Sequence, residues 1–143
     1  MTRVDFYLLQ NDNRNTCPLF ACRLTEKAVK QGHHVFINTD SDRQLRQMDD
    51  LLWSFRGGSF LPHAIYADQA DTIEPVLLGH AAEPGACNDV LINLSTEVPA
   101  WFGRFDRVVE LIDGDATRRA AARQRYAFYK DRGYTLNTHE IET

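Results

Sequence analysis

The stretch Val90-Leu91-Ile92-Asn93-Leu94 decides the fold, because it is a short and nearly unbroken apolar run. A strand with one solvated face alternates apolar and polar residues, whereas a strand covered on both faces is apolar almost throughout. We therefore expect residues 90–94 to form a strand at the centre of a sheet.

Three further strand patterns lie elsewhere in the chain. Val4, Phe6 and Leu8 are apolar at alternate positions near its start. Residues 34–38 and 107–112 are short runs rich in β-branched and other apolar side chains. Patterns of this kind predict strands.

Three helical patterns alternate with these strands. The first helix is expected from about residue 18 to 31 and the last from about residue 115 to 132. Between residues 45 and 55, apolar side chains recur at spacings of three and four, which is the period of one helix face. Gly32 and Gly133 follow the first and last helices and tolerate the left-handed backbone with which many helices end.

This alternation predicts the architecture. Strands that alternate with helices imply right-handed crossovers and a largely parallel sheet flanked by helices. The expected fold class is therefore α/β, with three layers. No repeat, low-complexity run or linker divides the chain, so residues 1–143 are expected to form a single domain. Between residues 59 and 85 the signals are mixed, and only short strands and loops are predicted there.

The composition is that of a globular protein with a modest acidic excess. The chain has 143 residues, 16 Lys plus Arg against 20 Asp plus Glu, and a formal net charge of −4. This balance argues against nucleic-acid binding through overall charge, although it permits a local basic patch. The sequence has no secretory signal and no run long enough to span a membrane, so a cytoplasmic protein is expected. The three cysteines lack the spacing of a zinc site.

The first turn between a strand and a helix gives no sign of a nucleotide site. Residues 11–16 contain no glycine, and nothing in the chain matches a phosphate-binding loop. Gly57 and Gly58 follow a helix instead of preceding one, which is the position of a helix end. No cofactor is therefore predicted.

Glu110, Asp113 and Asp115 bring three carboxylates to the end of a predicted strand. Such a group could hold Mg²⁺, which makes a magnesium-dependent α/β phosphotransfer or hydrolytic enzyme the alternative function. The same residues also suit a polar turn in which an Asp caps the next helix. The sequence leaves both interpretations open.

The last predicted helix carries a basic stripe. Arg119, Arg123, Tyr126 and Lys130 fall within about 60° of one another on a helical projection. The stripe is either a solvated face or a pocket for an anionic ligand, since guanidinium groups bind carboxylate or phosphate through two parallel hydrogen bonds. A peptide with a carboxylate and single-stranded nucleic acid both fit the second interpretation.

Trp53, Phe55 and Phe60 form an aromatic set around the end of the second predicted helix. Large aromatic side chains near a helix end pack in a core or anchor an interface with another protein. On a helical projection Trp53 lies away from its neighbours Leu52 and Phe55, so it need not share the core face.

Several of these segments together resemble a known family. The order of Trp53, then a Ser-Phe-x-Pro-His motif, then an Arg-x-Arg-Tyr motif is similar to that of the chi subunit of bacterial DNA polymerase III holoenzyme, and the likeness runs from end to end. The segments that carry the resemblance are Phe6-Tyr7-Leu8-Leu9, Asp49-Asp50-Leu51-Leu52-Trp53, Ser59-Phe60-Leu61-Pro62-His63, Ala122-Arg123-Gln124-Arg125-Tyr126 and Gly133-Tyr134-Thr135-Leu136-Asn137-Thr138.

The resemblance implies a non-catalytic adaptor with a mononucleotide-binding-like fold but no nucleotide site. Members of that family bind the psi subunit, which links them to the clamp loader, and the acidic C-terminal tail of single-stranded-DNA-binding protein. The implied role is to support lagging-strand synthesis and primer handoff, with DNA contacted only indirectly.

The resemblance also implies roles for individual residues. Arg123 would bind the terminal carboxylate of the acidic tail, Tyr126 and Ile112 would wall the pocket for its terminal Phe, and Arg119 would meet its aspartates. Lys130 belongs to the same stripe. Trp53 and Phe60 correspond to the family's contact with psi, a surface that some members also use for an XPD-like helicase. Residues 66–88 depart from the family pattern.

Overall fold

Seven parallel strands form one sheet in the computed structural model, which describes residues 1–58, 60–66 and 74–142. The strands are β1 (Arg3–Leu9), β2 (Val35–Thr39), β3 (His63–Ile65), β4 (Val76–His80), β5 (Val90–Asn93), β6 (Arg107–Ile112) and β7 (Thr135–Ile141). The helices are α1 (Thr16–Lys30), α2 (Asp42–Ser54) and α3 (Ala116–Asp131), with a short 3-10 helix at Phe102–Arg104. Among the described residues, no helix is long and apolar enough to cross a membrane.

The order across the sheet is β3-β4-β2-β5-β6-β1-β7, and all neighbouring strands are parallel. β5 is therefore the central strand. Val90, Leu91 and Ile92 are at most 4% exposed. These observations confirm both the predicted α/β class with a parallel sheet and the doubly covered strand at its centre.

Helices cover both faces of the sheet. On one face α1 and α2 bury an aliphatic cluster that includes Ala21 and Met48. On the other face α3 and the 3-10 helix bury a more aromatic cluster that includes Phe36, Phe102 and Tyr129. On this face α3 packs against β6 and β7, and that half of the sheet carries the candidate site.

Side-chain caps and a glycine set the helix ends. The hydroxyl oxygen of Ser41 accepts a hydrogen bond from the N–H of Gln44 at 3.1 Å at the start of α2. The carboxylate of Asp115 accepts one from the N–H of Arg118 at 2.9 Å at the start of α3. After α3, Gly133 adopts a φ of +78°, a conformation that strains residues with a Cβ.

The region of mixed sequence signals contains the short strands β3 and β4, as expected. Phe60 and Leu61 precede β3 and belong to no strand. Ser59, residues 67–73 and Thr143 lie outside the described residues, so the predictions that include them are not addressed there.

The edge strand β7 was not predicted from the sequence. Thr135–Ile141 pairs with all seven residues of β1, yet no side chain of β7 is fully buried. The strand is polar because the open edge of the sheet exposes it. Its partly buried residues, Leu136, His139 and Ile141, do not fall at strictly alternate positions, so the period-two contrast by which strands are recognised is missing.

Asp5 is the centre of a polar network on the sheet. It is 3% exposed and accepts hydrogen bonds from Arg107 Nε at 2.7 Å and His139 Nε2 at 3.0 Å. Arg3 forms a further ion pair with it at 3.3 Å. Burial alone would raise the pKa of Asp5, but the hydrogen bonds from His139 and Arg107 hold it below its ordinary value.

A carboxyl whose pKa is lowered by folding stabilises the folded state only while it is ionised. We therefore expect the Asp5→Asn variant to lose more stability, relative to the unmodified chain, at about pH 6 than at about pH 3. Urea unfolding at both pH values measures the difference. A loss that is the same at both values would contradict the assignment.

Candidate functional site

A buried polar network fixes α3 on the sheet. Glu110 on β6 is completely buried, and its carboxylate accepts hydrogen bonds from Arg125 Nε at 2.9 Å and from the Tyr129 hydroxyl at 2.8 Å. A third comes from Asn93 Nδ2 at 3.0 Å. Arg125 also donates to the carbonyl oxygen of Thr96 at 3.1 Å. The network thus joins α3, β5, β6 and the loop after β5.

Burial and hydrogen bonding act in opposite directions on this carboxylate. Complete burial raises the pKa of Glu110, while Arg125, Asn93 and Tyr129 oppose that rise by stabilising the charged form. Burial also raises the pKa of Tyr129, so its hydroxyl keeps the proton that it donates. These contacts turn Arg125 and Tyr129 toward the sheet. The stripe of Arg119, Arg123 and Tyr126 is thereby turned outward.

An apolar pocket, here called the α3 pocket, opens between that stripe and the sheet. Its volume is about 270 Å³. Three strands and one helix supply its walls, and the lining residues are Phe6, Leu8, Ile112, Arg119, Ala122, Arg123, Tyr126 and Thr138. Four of the residues assigned to a ligand site from the sequence, namely Ile112, Arg119, Arg123 and Tyr126, therefore meet at one pocket.

The walls of the α3 pocket combine an aromatic contact with two arginines. The Tyr126 ring packs edge-on against Phe6, with centroids 5.2 Å apart. Arg119 Nε donates to the carbonyl oxygen of Asp113 at 2.9 Å. Arg123 is exposed, and within the described residues its guanidinium has no ion pair or hydrogen bond. An apolar cavity beside an unpaired guanidinium can accommodate an apolar side chain and a carboxylate that belong to one ligand.

Lys130 lies outside the lining of this pocket. It is exposed near the end of α3, one helical turn beyond Tyr126. The predicted stripe is thus real as a helix face, but the pocket covers only its first part. A role for Lys130 in ligand binding stays a prediction.

The aromatic set at the end of α2 is on the surface. Trp53 is 57% exposed and Phe60 is 74% exposed, and their ring centroids are 6.1 Å apart. Trp53 also packs on the buried ring of His63, at 4.5 Å between centroids. Ile65, which is 46% exposed, lies two residues further along β3. We call Trp53 and Phe60 the aromatic surface.

Exposed apolar side chains of this size are informative when they cluster. Among the described residues, the large hydrophobic side chains that are exposed are Met1, Trp53, Phe60, Ile65 and Tyr126. Two of these, Trp53 and Phe60, form the aromatic surface, and Tyr126 lines the α3 pocket. The interpretation of Trp53 as a core residue is therefore wrong, because its indole faces solvent.

The three carboxylates proposed as a magnesium site have separate structural roles. Glu110 is enclosed by the network under α3, and Asp115 caps α3. Asp113 accepts hydrogen bonds from Arg118 Nε at 2.8 and 3.0 Å. In the described part of the chain, no group of three or more His, Cys, Asp and Glu residues could hold a metal ion. The geometry gives the magnesium alternative no support.

Arg125 is the residue that sequence analysis missed. It sits within the basic helix and was not distinguished from its exposed neighbours, although it is only 8% exposed. A signal was available, because Glu110 interrupts the otherwise apolar run Val108-Val109-Glu110-Leu111-Ile112. A buried carboxylate requires a cationic or donor partner, and α3 is the element that follows β6.

Fold and site together define a small parallel α/β protein. It has an apolar pocket flanked by arginines between α3 and the sheet, and an exposed aromatic surface near the end of α2. A family model described as "DNA polymerase III chi subunit, HolC" matches residues 1–137. The chain belongs to that family.

Individual relatives agree with this assignment. The DNA polymerase III subunit chi of Pseudomonas aeruginosa is 40% identical over 141 residues, which are 99% of this chain and 98% of the relative. Proteins of the same name are 26% identical in Haemophilus influenzae, over 95% of each chain, and 27% identical in Escherichia coli, over 96% of this chain and 97% of the relative.

A more distant likeness concerns the fold alone. The crystal structure of T4 UvsW matches 99% of this chain with a TM-score of 0.70 and 8% sequence identity. This chain covers 42% of that protein, which is less than half of its length. The α/β sheet architecture is what the two have in common.

The network under α3 generates a stability prediction. Arg125→Ala leaves the Glu110 carboxylate buried without its cationic partner, and we expect the free energy of unfolding to fall by about 3–5 kcal/mol. Arg123→Ala, on the exposed face of the same helix, is the matched control and should change it by less than about 0.5 kcal/mol. Denaturant unfolding measures both. Similar losses in the two variants would refute the structural role of Arg125.

Proposed function

We propose that this chain is a non-catalytic docking subunit of the replicase. In this proposal it bridges the clamp loader, through a psi subunit, to the acidic C-terminal tail of single-stranded-DNA-binding protein. The bridge supports lagging-strand synthesis and primer handoff. The observation that carries the proposal is the α3 pocket, in which an unpaired guanidinium stands beside an apolar cavity.

The chemistry of the α3 pocket suits the end of an acidic peptide. Arg123 would bind the terminal carboxylate, and Ile112 and Tyr126 would enclose the terminal Phe. Arg119 would meet aspartates further along the tail. A charged hydrogen bond fixes the position of the carboxylate, and burial of an aromatic ring supplies much of the remaining affinity.

The same pocket is less suited to direct binding of single-stranded DNA. Proteins that bind such strands offer a charged groove and several aromatic rings on which successive bases stack. The exposed face of α3 offers Tyr126 as its aromatic ring, and one edge of that ring already packs on Phe6. A peptide ligand therefore has the better match of charge and apolar surface.

The aromatic surface supports a second contact, with psi. Trp and Phe side chains that protrude in a cluster are frequent anchors of protein interfaces. Trp53 and Phe60 lie beside β3, at one edge of the sheet, whereas the α3 pocket includes Thr138 of β7, at the opposite edge. The two partners would therefore bind at the same time. An XPD-like helicase would compete with psi if it used the aromatic surface.

The proposed mechanism is tethering. Single-stranded-DNA-binding protein carries several tails, so repeated weak contacts would keep the replicase near the lagging strand through a raised local concentration. The ionic part of each contact should weaken with added salt, because exposed charges are screened within about 8–10 Å at physiological ionic strength.

The tail contact is tested by the loss of one guanidinium. Binding of a labelled acidic peptide that ends in Phe should fall at least about tenfold in Arg123→Ala, because the carboxylate loses its charged partner. Isothermal titration calorimetry measures the affinity. Arg23→Ala, which removes an exposed arginine from α1 on the other face of the sheet, should bind the peptide normally.

Two further ligands separate peptide binding from DNA binding. The same peptide without its terminal Phe should bind far more weakly, and a single-stranded oligonucleotide should not compete with it. If the oligonucleotide binds and neither peptide does, the docking proposal fails.

The psi contact is tested by a variant of the opposite edge. Trp53→Ala should abolish co-elution with a psi subunit in size-exclusion chromatography, because it removes the largest exposed ring of the aromatic surface. The Trp53→Ala variant should keep its affinity for the tail peptide, and the Arg123→Ala variant should still co-elute with psi. Loss of both partners in either variant would show that the two surfaces are not independent.

A further inference from the structure

A second cavity opens where three strands end. It lies at the carboxyl ends of β2, β5 and β6, has a volume of about 300 Å³, and shares no lining residue with the α3 pocket. We call it the strand-end cavity. Its volume falls at the lower end of the range of small-molecule sites.

The topology of the sheet places this cavity at a switch point. From β2 the chain continues through α2 to β3 and β4 on one side of the sheet, whereas from β5 it continues to β6 on the other side. Connections that leave neighbouring strands in opposite directions create a crevice outside their carboxyl ends. In parallel α/β sheets, ligands bind in that crevice.

Four arginines line the strand-end cavity. Two are engaged, since Arg118 pairs with Asp113 at 2.8 Å and Arg125 pairs with Glu110. The other two, Arg14 and Arg43, are exposed, and within the described residues their guanidinium groups make no ion pair or hydrogen bond.

The acidic groups in the lining do not cancel this charge. Among the described residues they are Asp113, which Arg118 already neutralises, and Asp40, whose single charge offsets one of the two unpaired arginines. The cavity therefore has an excess of positive charge in a chain whose net charge is −4. An anion is the ligand that this excess favours.

Two helices also begin at the cavity. α1 starts at Thr16 with no side-chain hydrogen bond from its cap residue, Asn15, and Cys17 and Pro18 of its first turn line the cavity. Arg43 belongs to the first turn of α2. The partial positive charge at the start of a helix adds to that of the arginines.

The remaining lining residues indicate what the anion is attached to. Amide and hydroxyl groups are supplied by Gln44, Gln47, Ser95 and Thr96, whereas the buried amide of Asn93 is already bonded to Glu110 and Ser95. None of the lining residues is aromatic, so the cavity provides no ring on which a base would stack. Leu94, Leu111 and Ala121 also line the cavity. The amide and hydroxyl groups beside them suit a carrier that bears hydroxyl groups.

We infer that the strand-end cavity binds a small phosphate monoester with a polar carrier, and that Arg14 and Arg43 bind its phosphate. Guanidinium groups form paired hydrogen bonds with phosphate oxygens. Gln44 and Gln47 would bind hydroxyl groups of the carrier. This site is separate from the proposed docking surfaces and does not depend on them.

Calorimetric titration with ribose 5-phosphate, in a low-salt buffer without phosphate or sulfate, tests the inference. Ribose 5-phosphate and inorganic phosphate should bind, and ribose should not. Arg14→Ala and Arg43→Ala should each lower the affinity for ribose 5-phosphate at least about tenfold. Arg46→Ala is the matched control, because Arg46 is an exposed arginine of α2 that does not line the cavity.

Several results would overturn the inference. One is the absence of binding by both phosphate compounds at millimolar concentration, and another is unchanged binding in Arg14→Ala and Arg43→Ala variants that remain folded by circular dichroism. Binding of single-stranded oligonucleotides, with or without a terminal phosphate, in place of ribose 5-phosphate would assign these arginines to DNA.

The acidic tail peptide provides a last comparison. Its affinity should be unchanged in Arg43→Ala, since the α3 pocket shares no residue with the strand-end cavity. Weaker peptide binding in Arg43→Ala, without binding of ribose 5-phosphate to the unmodified chain, would assign Arg43 to the path of the peptide and refute a separate phosphate site.

Discussion

The buried carboxylate of Glu110 is the constraint on which the functional face of this protein depends. A charge with no access to water must be surrounded by donors, and here the donors come from α3 and β5. Satisfying that charge fixes the rotation of α3 about its own axis. The hydrogen bonds to Glu110 therefore determine that Arg119 and Arg123 lie on the exposed face of α3, near the edge strand β7.

Charge is distributed unevenly over this acidic chain. Arginines lie around the carboxyl ends of β2, β5 and β6 and along α3. The aromatic surface lies beside β3, at one lateral edge of the sheet. A parallel sheet with two different edges gives a small protein two separated surfaces, and these are the two proposed contact sites. The chain belongs to the family of a DNA polymerase III subunit. A subunit functions within an assembly, which agrees with the presence of exposed contact surfaces.

Sequence reasoning succeeded where a residue's surroundings follow from a period. The apolar run at residues 90–94 required a doubly covered strand, and the helical stripe brought Arg119, Arg123 and Tyr126 to one face. It failed where the surroundings come from distant chain segments. β7 is polar because it lies at an edge, and Arg125 is buried because Glu110 lies beneath it, so neither property is visible in a local window.

The parallel pairing of the first strand has a consequence for how the chain folds. Arg3 on β1 pairs with Arg107 on β6 and with Thr135 on β7. During synthesis, β1 therefore has no strand partner until β6 and β7 have left the ribosome. Contacts of such long sequence separation slow folding and leave unpaired strand edges exposed to aggregation. The half of the sheet that carries the α3 pocket is then the last half to form.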